Sequence, residues 1–130
     1  MAATATLGSA LLADPKNGLD STQDSIWAEG PVVLTGNYGG ASTHGDTLSL
    51  AGLVSSDYPP KFCEVYQEPT SGNAPIIYCF IYGRGTTAAN GVLIVTDFAG
   101  VEITQGAAYP AALTAATANL RFRAEFAKNI

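Results

Sequence analysis

The chain has 130 residues, a formal net charge of -5, and 13% charged against 47% hydrophobic residues. That length makes one domain, able to bury roughly two thirds of its unfolded surface without a covalent staple. With Lys+Arg at 6 and no basic run, the phosphate neutralisation on which nucleic-acid binding rests is missing, and attraction to an anionic membrane surface is disfavoured on the same ground.

Soluble domains average about a quarter charged residues, so here Ser, Thr, Asn and backbone must supply much of the polar surface. Part of the surface is expected against a partner. No stretch approaches the ~18 apolar residues of a membrane span. The opening stretch 1–13 has no positive residue of the kind a secretory leader carries, so a soluble protein synthesised in the cytoplasm is expected.

Residues 1–22 are rich in Ala, Thr, Ser and Leu and close on Asp14-Pro15-Lys16-Asn17-Gly18, a turn signal. They read either as a frayed terminus or as an extended arm that orders on a partner, with Leu7, Leu11 and Leu12 as its anchors. Residues 23–130 form the domain. Ile26-Trp27 starts it, with Trp27 capping one end of the core, and Gly30-Pro31 sets up a strand at Val32 to Thr35.

A glycine-rich loop follows, holding Gly36, Gly39, Gly40 and Gly45, and the chain leaves it through Asp46 into the alternating strand Thr47 to Leu50. Strand, long turn, strand is the reading, with glycines supplying positive φ or close approach. Asp57-Tyr58-Pro59-Pro60 makes an extended connection. Lys61 to Gln67 is the next strand, and its Cys63/Val65 face is the better core face.

Ile76 to Tyr82 is the most hydrophobic strand, apolar on both faces. It is expected either to be central and covered on both sides or to have one side in a subunit interface. The loop 83–91 turns the chain back, Gly91 to Thr96 supplies the next strand, and Phe98-Ala99-Gly100 permits a tight hairpin into an alternating strand Val101 to Thr104. Tyr109-Pro110 precedes a small-residue stretch. In the last strand Leu120, Phe122, Ala124 and Phe126 point one way and Arg121, Arg123 and Glu125 the other, the period-2 mark of one wet face. The fold class is all-β, a sandwich or barrel-like domain of about seven short strands.

Catalytic chemistry has little to work with. His44 is the sole histidine, so no clustered metal ligands and no Ser-His-Asp triad are expected. Cys63 and Cys79 lie in apolar strands and read as buried thiols, with a disulfide open if their strands are neighbours. Asp97, Glu102, Glu64 and Glu68 can supply a carboxylate pair, but with 11 acids some pair is expected by chance. Gly83-Arg84-Gly85 lacks the Lys-Ser/Thr and helix start of a phosphate loop and reads as a hairpin loop. No cofactor and no enzymatic activity are expected.

Leu34-Thr35-Gly36-Asn37-Tyr38, followed by Gly45-Asp46-Thr47-Leu48, the strand Tyr78-Cys79-Phe80-Ile81-Tyr82, the stretch Gly106 to Leu113 and the closing Arg-Phe-Arg-Ala-Glu-Phe strand resemble small structural proteins of tailed bacteriophage heads. Over roughly residues 30 to 127 the chain is similar to capsid decoration, or cement, proteins. The loop from Gly-Asn-Tyr to Gly-Asp-Thr-Leu is the most specific part, and Gly39 to His44 makes it longer than the family pattern.

The resemblance implies a structural virion protein on the outer surface of the expanded capsid, a homotrimer that contacts the major capsid protein and ties neighbouring capsomers together. The interface residues it points to are Leu7, Leu11, Leu12, Tyr38, His44 and Asp46. The competing reading is a carbohydrate- or receptor-binding β module of a phage tail or fibre, with Tyr38, Tyr58 and Tyr109 as exposed stacking platforms.

Overall fold

The computed structural model describes residues 3–5, 25–39, 44–53, 58–68 and 76–127. The fold is all-β. Among the described residues there are seven strands: β1 (Ala3–Ala5), β2 (Ser25–Leu34), β3 (Asp46–Ser49), β4 (Phe62–Gln67), β5 (Tyr78–Gly83), β6 (Val92–Asp97) and β7 (Leu120–Ala127). They are hydrogen-bonded in the order β4-β7-β2-β1-β3-β6-β5, antiparallel throughout except for β1 beside β3. The two end strands, β4 and β5, touch without forming a ladder, so the sheet curls towards a barrel that does not close by hydrogen bonds.

The last strand folds as its alternation dictates. Leu120, Phe122, Ala124 and Phe126 are buried, and the residues between them lie at or near the surface. β7 is flanked by β4 and by β2 from Ser25 to Pro31, so it anchors one half of the sheet. On β4, Val65 is buried and Cys63 packs against the core, as the face choice predicts. Among the other core side chains, Leu34, Leu48, Leu93 and Val95 are at most 1% exposed, which places the core between the two halves of the curled sheet.

Several elements differ from expectation. Gly30-Pro31 does not open a strand but lies inside β2, which runs unbroken from Ser25. Proline donates no ladder bond, and Pro31 falls where β2 hands over from β7 to β1. Trp27 is half-buried on the outer face of the sheet rather than capping the core, with the Arg123 guanidinium 4.7 Å over its ring and Phe62 at 6.1 Å.

β5 is an edge strand, not a covered central one; Cys79 and Ile81 on it and Ile77 just before it are exposed. Cys79 is therefore not a buried thiol, and both cysteines are free. The expected strand 101–104 shrinks to a bridge from Glu102 to Thr96, because the chain turns at Thr104–Ala107 to reach the loop near Tyr38. The small-residue stretch instead forms a helical turn, Ala111–Thr114, and a 3-10 turn, Ala116–Ala118, which bury Leu113 and Ala118.

Of the segment 1–22, Ala3–Ala5 is part of the sheet, pairing antiparallel with Val32–Leu34 and parallel with Leu48 and Ser49. Leu7, Leu11 and Leu12 lie outside the described residues.

Candidate functional site

The long loop between β2 and β3 is held by the segment 102–109, which crosses over it. Tyr38 N–H donates to the Ala107 carbonyl at 2.8 Å, Gly106 N–H to the Tyr38 carbonyl at 2.6 Å, and Tyr109 N–H to the Gly36 carbonyl at 3.1 Å. These bonds bring together residues about 70 positions apart in sequence, so local pattern cannot reveal them.

The side chains converge on two carboxylates. Tyr38 donates its hydroxyl proton to Glu102 Oε2 at 2.5 Å and accepts from Val95 N–H at 3.2 Å. Gly45 N–H also donates to Glu102 Oε2, at 3.2 Å, and His44 Nδ1 lies 3.3 Å from Glu102 Oε1. Tyr109 donates to Asp46 Oδ2 at 2.7 Å, and the two tyrosine rings meet edge to face at 5.6 Å. A single carboxylate thus accepts from both ends of the loop.

Two glycines make this closure possible. Gly39 and Gly45 have φ of +75° and +69°, and a Cβ on Gly45 would stand 2.9 Å from the Leu93 carbonyl oxygen. Neither position accepts an ordinary side chain without strain.

The protonation equilibria follow the geometry. The Tyr38 hydroxyl bond, with further help from His44 and the Gly45 N–H, holds the Glu102 carboxyl below its usual range against a smaller opposing effect of burial. Burial, then the bonds to Glu102 and Asp46, push Tyr38 and Tyr109 well above the usual tyrosine range. Burial pushes the Cys63 thiol up to about 12, and Tyr82 up to about 12.

Raised values mean that the folded protein keeps protons which the unfolded chain sheds above 9.0 for cysteine and 10.0 for tyrosine. Stability is therefore complete below those values and falls as pH climbs through them. In an alkaline titration, tyrosinate absorbance from these tyrosines is expected to rise together with the loss of near-ultraviolet circular dichroism, as one cooperative step. A gradual rise that accounts for all six tyrosines while the fold stays intact would contradict the burial argument.

Of the residues singled out in the sequence, Tyr38, His44 and Asp46 come together here. Tyr38 is 0% and Asp46 6% exposed, so neither can meet a partner directly, and the expectation that they form an interface gives way to a scaffolding role inside the loop. His44 alone of the three is exposed. The same burial weakens sugar stacking, because Tyr38 and Tyr109 are packed and only Tyr58 stays exposed.

Glu102 and Gln105 are the partners that sequence reading missed. Glu102 was one acid among many, and Gln105, whose Nε2 donates to the Gly45 carbonyl at 3.2 Å, carried no signal.

The other acids are dispersed. Asp97 Oδ1 accepts from the N–H groups of Ala99 and Val101, which shapes the turn after β6, and Glu64 stands opposite Arg123 on the outer face. Among the described residues no group of three or more His, Cys, Asp or Glu is placed to hold a metal ion, and no helix is long and apolar enough to cross a membrane. The arrangement at Glu102 can position a loop and store a pH response. Comparison of the chain with protein-family models, with curated proteins and with solved structures finds no match.

Proposed function

We propose that this chain is a structural virion protein that binds the outer surface of an expanded phage capsid and cements neighbouring capsomers. The observation that carries this reading is the apolar tip after β6. Phe98 is 70% and Val101 62% exposed, on a turn that Asp97 holds rigid. A large apolar side chain presented on a fixed turn gains energy only when something covers it. The clamped loop supports the same reading, because the most specific part of the family resemblance is here a rigid scaffold.

Cementing is a linkage effect. Binding the expanded shell but not its precursor stabilises the expanded state, and many copies multiply a modest contact energy.

The purified protein is expected to co-sediment with expanded, undecorated capsids at a saturable copy number and to ignore unexpanded shells. Phe98→Ser with Val101→Ser should weaken that binding while leaving the fold intact, since both side chains are exposed. The arm is tested separately by Leu7→Ser, Leu11→Ser and Leu12→Ser together, which keeps β1 where a deletion of residues 1–20 would remove a strand of the sheet. Equal binding to both shells, or to neither, would refute the proposal.

A further inference from the structure

The shortest strand holds the sheet together. In the order β4-β7-β2-β1-β3-β6-β5, β1 is the only strand among the described residues that joins the half β4-β7-β2 to the half β3-β6-β5. It does so by pairing with Val32–Leu34 on one side and with Leu48 and Ser49 on the other. Both flanks are left to it. β7 accompanies β2 only as far as Pro31, and the Leu48 and Leu50 N–H groups go to the Gly91 and Ala88 carbonyls on the β6 side of β3. Backbone groups alternate sides along a strand, so those of Ser49 face β1.

Without β1 the two flanks form a slot with a dry side and a wet side. Val32, Leu34, Leu48 and Leu50 are at most 4% exposed, whereas Val33 is 54% exposed and Ser49 is exposed too. Whatever fills the slot must be an extended backbone that pairs left and right at once.

Connectivity does not force β1 into this place. By register Ala5 lies beside Val32, so the chain from Ala5 to Ser25 has to travel only about 23 Å back along β2. Residues 6–24 between them can span up to roughly 65 Å when extended. A hairpin turn draws its strands together, but a link this long does not, so the pairing itself selects the seat. Charge offers no obstacle either. Residues 1–13 carry no charged side chain, and such a segment enters the sheet without stripping water from an ion.

We propose that the slot between β2 and β3 is a strand-acceptor site for a short, uncharged, extended peptide, and that the chain's own residues 3–5 are its resident and detachable occupant. Main-chain bonds on both sides supply the affinity, as in other strand-addition sites. The site belongs to the free protein and does not depend on the capsid reading. A peptide of the same sequence supplied from outside makes the same backbone pairs, and it is held off only by the higher local concentration that the covalent link gives the resident.

The test uses the full chain, wild type and Thr4→Pro, with a fluorescent synthetic peptide of residues 1–8. Proline at position 4 has no N–H and its ring does not fit a strand paired on both sides, so it releases the resident and leaves the walls of the slot unchanged. Fluorescence anisotropy should show one peptide bound per Thr4→Pro chain, at least roughly tenfold tighter than to wild type, whose resident competes. The same peptide carrying Thr4→Pro should bind neither chain. Near-ultraviolet circular dichroism follows the fold in parallel, and any signal lost in the Thr4→Pro chain should return when the unmodified peptide is added. A Thr4→Pro chain that takes up no peptide, folded or not, overturns the proposal. So does equal affinity for the two chains, or uptake of the proline peptide.

Discussion

Tyr38→Phe should lower the unfolding free energy by roughly 2–4 kcal/mol although it removes one oxygen atom. That oxygen donates to Glu102 and accepts from Val95 N–H, and the tyrosine is fully buried. Losing a hydrogen bond to a charged acceptor costs about 1.5–3 kcal/mol, and a buried N–H left unpaired costs about 1–3. The two add incompletely, because water can reach Glu102, whose side chain is 27% exposed, and part of the loss is recovered there.

The pH dependence separates this mechanism from simple loss of packing. Because the folded-state value of Glu102 is depressed, its contribution is present above the ordinary carboxylate value of 4.5 and is lost as pH falls through the folded value. The Tyr38 bond is the leading cause of that depression. Urea titrations at neutral and acid pH should therefore show wild type losing more stability on acidification than Tyr38→Phe. Parallel losses would mean that the carboxylate does not clamp the loop.

Phe122→Ala is expected to cost about 3–5 kcal/mol, enough to leave a small domain largely unfolded on warming. Phe122 is 0% exposed, in the middle of the strand that β4 and β2 flank on either side. Its cross-strand neighbours are Val65 and Gly30, and since Gly30 brings no side chain, little is available to fill the space the ring vacates. Phe122→Leu keeps most of the volume and should cost less than about 1.5 kcal/mol. Thermal unfolding of the pair decides the matter: a similar loss for both would indicate a rigid shape requirement, and a small loss for both a core that collapses into the gap.

The strands that could be read in advance are those whose partners are on the same sheet face. Leu120 to Phe126 alternates because one face of β7 meets the core and the other meets water, and a period of two is visible wherever that asymmetry holds. Val65 on β4 is legible for the same reason. At β5 apolar residues on both faces left two readings, a strand covered on both sides or one with a side in a subunit interface, and the edge position removes the first. Hydrophobicity reports how much a residue gains from burial and cannot say whether this chain or another copy supplies the cover.

The loop from Gly36 to Asp46 divides the same way. Its glycines and its strand-loop-strand outline are local, since positive φ is a property of one residue and its neighbours. What the loop does was hidden, because Tyr38 meets Glu102 and Asp46 meets Tyr109 across more than sixty positions. Local chemistry therefore settled that the chain is all-β and which faces of β4 and β7 are apolar. Strand order, the burial of Tyr38, the place of β1 between β2 and β3 and the open edge of β5 depend on contacts between distant residues. Those contacts exist only after the backbone has closed on itself, and no window of sequence contains them.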